Sequence, residues 1–534
     1  MTSLARDPAY DPAHGLPPRA AARLPGRARD LALLSAAPSC RSALAVCAPV
    51  DGGRIGWMPS CEPVDVGAAA VRARCAQADW ARWPVAERGE VVLRFHDLLL
   101  ERRTDVFDVI QAETGKARIS AFDEFTNVAL TARYYARSAR RHLRPARRHG
   151  ALPLFTRVRE HHRPKGLVGV VSPWNYPFAT AAVDTVPALL AGNAVLLKPS
   201  EQTPYSALLV RALLLEAGLP ADLFQVLTGE GPVLGPPLVG RVDHLMFTGS
   251  VATGRALAAE CARRLIGFSA ELGGKNPLIV LADADLERAV RGALRACFAN
   301  SGHLCVSTER IYVEADVHNR FLDAFVRRTR ELRLATGPTW DADMGSLAGP
   351  RQFGAVARHV CDALAKGALL YTGGRARPDL GPYFYEPTVL GAVGDDMLLG
   401  REETFGPVVA VHRVRDAADA LDRANDSRYG LTAAVFTTPA RGRRLAGRLR
   451  TGAVTVNDGF AAACASPDAP MGGIGDSGVG RRNGREGIRK YTEPQTVAAQ
   501  HLLPLAPPPG MPGSRYAALV TAGLKAARRL PLPW

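Results

Sequence analysis

The sequence predicts an α/β protein with a doubly wound parallel sheet and a second α/β lobe. Three observations predict it. Short continuous apolar runs, such as Gly166-Leu-Val-Gly-Val-Val171, read as strands buried on both faces. They alternate with longer segments of helical periodicity. The series also occurs twice, on either side of a turn that carries Cys305. At 534 residues the chain is long enough for more than one domain.

Residues 1 to about 45 are rich in Ala, Arg and Pro without periodicity and are expected to form a disordered leader. A helical pattern begins at Val66. Pro84 suits a helix start, and Val91, Val92, Phe95, Leu98 and Leu99 mark one face of the helix it opens. Val106–Glu113 stops at Gly115, and a further helix runs through Phe125–Ala139. Leu152–His162 alternates and reads as an exposed strand. The first α/β series has strands at Gly166–Val171, Ala194–Lys198, Leu223–Leu227 and His244–Phe247, with helices at Thr180–Ala191, Tyr205–Ala217 and Val251–Leu265. The second has strands at Arg310–Val313, Leu369–Tyr371, Val408–Arg413, Ala433–Phe436 and Ala453–Val456. Its helices are His318–Leu332, Gly354–Lys366, Ala417–Ala424 and Ala440–Arg448. Gln495–His501 reads as a short strand, and Arg515–Leu530 as a basic amphipathic helix.

The formal charge of +16 raises nucleic acid as a partner. Arginine far outnumbers lysine, however, and Ala, Gly and Pro are also abundant, which fits a compositional bias. The densest basic run, Arg133–His149, follows a helical pattern and reads as a solvated face, so no nucleic-acid partner is expected. The nine cysteines form no CxxC pair and no zinc-type spacing. Free thiols, no metal site and a cytoplasmic location are expected. The longest uncharged stretch, Gly166–Val183, contains Ser172-Pro-Trp-Asn-Tyr-Pro177, which rules out a membrane span there. The C-terminal helix is too short and charged to span, and is a candidate only for peripheral contact with an anionic membrane or a neighbouring subunit.

Six stretches carry candidate chemistry. Cys305 sits on a glycine-containing turn before an apolar strand, as a nucleophilic thiol would. Glu271 lies among small and apolar residues, which raises a carboxyl group toward the range of a general base. Asn175, beside Trp174 in a proline-bounded turn, is a candidate oxyanion donor. Lys198-Pro-Ser-Glu201 follows a buried strand at the end where α/β sheets bind ligands, and suits a ribose. Phe247-Thr-Gly-Ser-Val-Ala-Thr-Gly254 passes from strand to helix and suits a phosphate, although its GxxxxG spacing is not the full dinucleotide fingerprint. Glu402-Glu-Thr-Phe-Gly-Pro407 sets an acid and an aromatic before a rigid turn. Each has a purely structural reading when taken alone.

Their order decides between the readings. Pro173-Trp-Asn-Tyr-Pro, Lys198-Pro-Ser-Glu, Phe247-Thr-Gly-Ser, Glu271-Leu-Gly-Gly-Lys, Gly302-His-Leu-Cys305, Glu403-Thr-Phe-Gly-Pro and Pro470-Met-Gly-Gly follow one another as in the aldehyde dehydrogenase superfamily. The resemblance spans about residues 46 to 500. Ala270-Glu-Leu-Gly-Gly-Lys-Asn276, Arg310-Ile-Tyr-Val313 and Gly478-Val-Gly-Arg-Arg482 resemble the actinobacterial succinate-semialdehyde dehydrogenase branch.

The resemblance implies a Rossmann-like cofactor domain (46–143 and 165–274), a catalytic α/β domain (275–484), and a β-arm (144–164 and 485–503) that joins subunits into dimers or tetramers. A tail follows at 504–534. It implies oxidation of an aldehyde by NAD or NADP through a thiohemiacetal and a thioester on Cys305, with Glu271 as base and Asn175 as oxyanion donor. For the cofactor it implies Ser172, Trp174, Asn175, Lys198, Pro199, Ser200, Glu201, Gly249, Ser250, Leu272, Glu403 and Phe405. Glu201 favours NAD, because a carboxylate repels a 2′-phosphate. Glu271 favours water over CoA as the acyl acceptor. Two departures stand out. His303 replaces a usual Gln. Ala299 and Val183 occupy the positions of two arginines that clamp the substrate carboxylate in better-known succinate-semialdehyde enzymes. Succinate semialdehyde and a less polar aldehyde therefore both remain candidate substrates.

Overall fold

The structure is a computed structural model. It describes residues 31–36, 42–150, 156–335, 337–501 and 506–528. Two large sheets organise the chain. The first has six strands in the spatial order Gly478–Val479, Gly267–Glu271, His244–Thr248, Leu167–Val171, Ala194–Lys198 and Phe224–Val226. All neighbours are parallel except the first pair. Leu167–Val171 lies in the middle, and later strands add to both sides of it. That reversal opens a crevice at the carboxyl ends, where doubly wound sheets take ligands.

The second sheet has seven strands in the order Leu369–Thr372, Thr388–Gly391, Val408–Val414, Thr308–Glu314, Asn276–Val280, Thr432–Phe436 and Ala453–Val456. Only its first pair is antiparallel. Asn276–Val280 continues directly from the first sheet's Glu271 through Gly273-Gly274. One short loop thus links the two sheets and holds the candidate base at its start.

The apolar runs of the first sheet are buried on both faces, whereas Leu369–Thr372, at the edge of the second, is partly exposed. The helix Pro177–Leu190 is buried all round, as its low polarity requires. Gly115 ends the helix Arg103–Thr114 with φ +68, a left-handed cap. A third sheet pairs Thr492–Gln500 with Thr156–Pro164 and that strand with Ala146–Arg148. These are the segments expected to form the arm.

The structure differs from expectation in several places. The expected leader ends before residue 45. Leu31 and Ala32 are buried, Ser35 bridges to Val226, and Ala43–Cys47 pairs with Arg54–Pro59 in a hairpin. Residues 1–30 and 37–41 lie outside the described residues, as do 152–155 of the expected Leu152–His162 strand and 529–530 of the expected C-terminal helix. Gly478–Val479, placed by the sequence in the catalytic domain, joins the first sheet instead and pairs with Ala270–Glu271. The helix Leu286–Phe298, which leads toward Cys305, was not anticipated although its signals were present. Asp285 caps it, accepting from Arg288 N, and Ala289, Val290, Ala293, Ala296 and Cys297 bury one face.

Candidate active site

The loops after four neighbouring strands of the first sheet converge on one cavity of about 950 Å3, and the Cys305 turn closes it from the second sheet. Trp174, Asn175, Ser200, Glu201, Gly249, Ser250, Glu271, Leu272, Cys305, Glu403 and Phe405 all line it. Ser172, Lys198 and Pro199 do not.

Cys305 follows a sharply bent segment. Asn300 and Ser301 have φ +51 and +54, and Gly302 has φ +73. Three successive left-handed residues are costly, and close packing holds them. Asn300 N donates to Ser120 Oγ (3.1 Å), and Ser301 Oγ donates to Gly345 O (3.0 Å). A Cβ at Gly302 would lie 2.1 Å from Gly406 O, so no other residue fits. Asn276 Nδ2 donates to Cys305 O at 2.7 Å and fixes the far side of the turn. Burial pushes the Cys305 thiol up to about 12; the Glu271 carboxyl adds to this and Arg482 opposes it. The thiol is therefore protonated at neutral pH and needs a base in the same cavity.

Glu271, the expected base, lines the same cavity. It ends the strand Gly267–Glu271, clamped between His244–Thr248 and Gly478–Val479. It is 4% exposed, and its Oε2 has no hydrogen-bond partner among the described residues. Burial raises its carboxyl group to about 7, against the pull of Arg482 and Lys490. Asn175 Nδ2 donates to His303 O at 2.9 Å, which aligns the amide beside the cysteine turn and uses one of its two hydrogens.

The cofactor candidates fit a dinucleotide. Lys198 Nζ donates to Glu201 Oε2 at 3.0 Å at the end of its strand. Ser250 caps the helix Val251–Arg263, whose amino end opens into the cavity. Gly274 N donates to Glu403 Oε1 at 2.7 Å, and a Cβ at Gly273 would lie 2.3 Å from Glu403 Oε2. Burial and then Glu309 raise the Glu403 carboxyl to about 8. The buried Lys275–Glu309 pair holds the neighbouring loop, because Glu309 accepts from Thr404 N and Phe405 N (2.9 Å). Phe405 stands edge-on to Trp174 at 5.5 Å. His303 packs edge-on to Trp174 at 5.0 Å and stacks on Phe405 at 6.0 Å. Burial and then Lys116 hold its pKa down to about 3, so it is a neutral wall of this aromatic box.

Sequence reasoning missed two groups. Behind Glu271, Arg482 donates to Asp184 (2.6 Å) and to Thr248 Oγ1 (2.8 Å), with Lys490 and Tyr491 also on Asp184. Burial would raise the Asp184 carboxyl, but Arg482 and Lys490 outweigh it and keep it low. Arg482 stood in a quoted motif, yet nothing local pointed to Asp184. At the mouth, Arg295 lines the cavity one helical turn before Ala299, and Val183 lines its wall. Arg295 reaches Asp123 at 3.3 Å and lies over the Phe460 ring at 5.5 Å.

The cavity thus gathers a thiol, a carboxyl group raised to about 7 and an amide beside the loops expected to hold a dinucleotide. Comparison with known proteins agrees. Residues 36–497 match the model of the aldehyde dehydrogenase family. A protein of Mycolicibacterium smegmatis, provisionally named an NADP(+) succinate-semialdehyde dehydrogenase, is 51% identical over 481 residues, covering 90% of this chain and 93% of its own. The crystal structure of succinate-semialdehyde dehydrogenase from Burkholderia pseudomallei superposes with a TM-score of 0.82 at 33% identity, covering 86% and 94%. Betaine aldehyde dehydrogenase from Staphylococcus aureus in complex with NAD+ gives 0.83 at 30% identity, covering 87% and 93%. On its sequence and its fold alike, this chain belongs to the aldehyde dehydrogenase family.

Proposed function

We propose that the protein oxidises succinate semialdehyde to succinate, with NAD or NADP as hydride acceptor and water as acyl acceptor. The observation that carries the substrate is Arg295. It brings a guanidinium to the lining of the cavity that Cys305 shares, although Ala299 and Val183 stand at the positions of the usual clamp. The ion pair to Asp123 is long, 3.3 and 3.4 Å, so a substrate carboxylate can compete for it. The names of the mycobacterial and Burkholderia relatives support the same substrate.

In this reading Cys305 gives its proton toward Glu271, and the thiolate adds to the aldehyde carbon. Asn175 Nδ2 and the Cys305 N–H donate to the oxyanion of the thiohemiacetal. The nicotinamide, when bound, supplies the acceptor for the hydride that leaves this carbon. Glu271 releases the thiol proton to solvent, then takes a proton from the water that attacks the thioester; the C–S bond breaks, the acid leaves, and Cys305 departs as thiolate and is reprotonated. Ser200, Glu201, Gly249 and Ser250 would hold the adenosine and phosphate end, and Glu403 and Phe405 the nicotinamide end. Glu201 favours NAD. The chemistry needs Cys305 reduced, which supports a cytoplasmic location.

A second reading, a less polar aldehyde, is favoured by Asp123, which cancels the Arg295 charge. Steady-state rates with succinate semialdehyde and butyraldehyde separate the two. Arg295→Gln is expected to raise KM for succinate semialdehyde about tenfold, the worth of one charged hydrogen bond, and to leave butyraldehyde unchanged. An equal effect on both aldehydes would reject the carboxylate role.

A further inference from the structure

Six arginines outside the Cys305 cavity converge on a second cavity of about 650 Å3. Arg141 belongs to the last turn of the helix Arg118–Leu143, and Arg144 is its C-cap. Arg147 and Arg148 lie on the strand Ala146–Arg148. Arg485 and Arg489 arrive from the helix Gly484–Arg489, at the far end of the chain. The basic run that the sequence presents as a solvated face is therefore gathered around a concavity, with a distant segment completing it.

Carboxylates answer only part of this charge. Glu160 accepts from Arg148 at 2.7 Å, and Glu486 lies 3.9 Å from Arg485. Arg141, Arg144, Arg147 and Arg489 have no ion pair among the described residues, and Arg489 Nε instead donates to His142 O at 2.9 Å. Strand register adds to the excess, because Arg147 sits opposite Arg159. The crowding is felt locally. Burial, then Arg485 and Arg148, pull Arg489 below its ordinary value, and burial followed by Arg141 does the same to His142.

A hollow with this surplus focuses positive potential. Planar guanidinium forks match the oxygens of a phosphate two at a time. The remaining lining, His142, Pro145 and Ala146, offers no broad aromatic or apolar platform for a nucleobase or an acyl chain. We propose that this cavity binds a compact multivalent phosphate, of the oligophosphate class, at a site separate from the one that oxidises aldehydes.

The test uses the full-length protein at physiological salt with saturating NAD, so that the dinucleotide phosphate site is filled. Inorganic tripolyphosphate is titrated by calorimetry and by its effect on Tm, with sulfate at matched ionic strength as the control. Expected is saturable binding of one tripolyphosphate per chain, weakened at least about tenfold in the Arg144→Gln/Arg485→Gln double variant, with aldehyde oxidation unchanged. Both replaced side chains are exposed, so the variant is expected to keep the wild-type Tm without ligand. Three results would overturn the proposal. One is no saturable binding at millimolar tripolyphosphate. Another is equal binding by the double variant or by sulfate. The third is failure of the wild type to bind while the double variant changes its oligomeric state, since a second copy of the chain would then be filling the cavity.

Discussion

Glu271 and Cys305 share one buried volume, and burial disfavours the charge on both. The carboxyl settles at about 7 while the thiol is pushed to about 12. Below pH 7 Glu271 is protonated and cannot accept a proton; above it the carboxylate is available. We expect kcat/KM to rise about tenfold per pH unit below 7 and to level off above it. Glu271→Gln should remove that inflection and lower the rate about 10²- to 10⁴-fold. A pH–rate profile of both proteins checks this; an inflection kept by the variant would assign it elsewhere. That Cys305, Glu271, Asn175, Glu403 and Phe405 would share one cavity was legible in the sequence, because each lies within three residues of a glycine or proline, at a strand end or in a loop next to a strand. Arg295 and Arg482 were not. Each is one cation among 67 Lys and Arg, and Asp123 and Asp184 give it meaning only across the folded chain.

Among the elements, strands read from continuous apolar runs were found in place; burial on both faces leaves an unbroken signal in the first sheet, whereas Leu369–Thr372 is a partly exposed edge strand. Gly267–Glu271 and Asn276–Val280 were not read as strands. Gly273-Gly274 between them looks like loop, and the small residues Ser269 and Ala270 hide the run. The glycines earn their place by contact: Gly273 clears Glu403, and Gly302 clears the Gly406 carbonyl. Gly302→Ala combines a φ of +73 with an impossible contact. It should destabilise the protein by about 1–3 kcal/mol or more and lower turnover further by moving Cys305. Chemical denaturation alongside kcat measures both, and a variant with wild-type stability and rate would show that the turn does not position the thiol.

For the whole molecule, the arm offers an edge. Thr492–Gln500 is the outer strand of its sheet, its residues after Thr492 are exposed, and Val497 is 47% exposed. Such an edge invites pairing with another chain, which supports the proposed dimer or tetramer. Val497→Pro should shift the protein toward monomer in light scattering; an unchanged mass would place the interface elsewhere. The sequence marked the arm by position in the family resemblance, whereas the gathering of its neighbouring arginines into a cavity required the fold.

Oxidation through Cys305 is tested most directly by comparing wild type and Cys305→Ala with succinate semialdehyde and NAD or NADP, without CoA, following the reduced dinucleotide. The wild type is expected to turn over. The variant is expected to lose activity by about 10⁴-fold or more while still binding the dinucleotide. Wild-type turnover by the variant, or a strict requirement of the wild type for CoA, would contradict a water-terminated oxidation carried by Cys305.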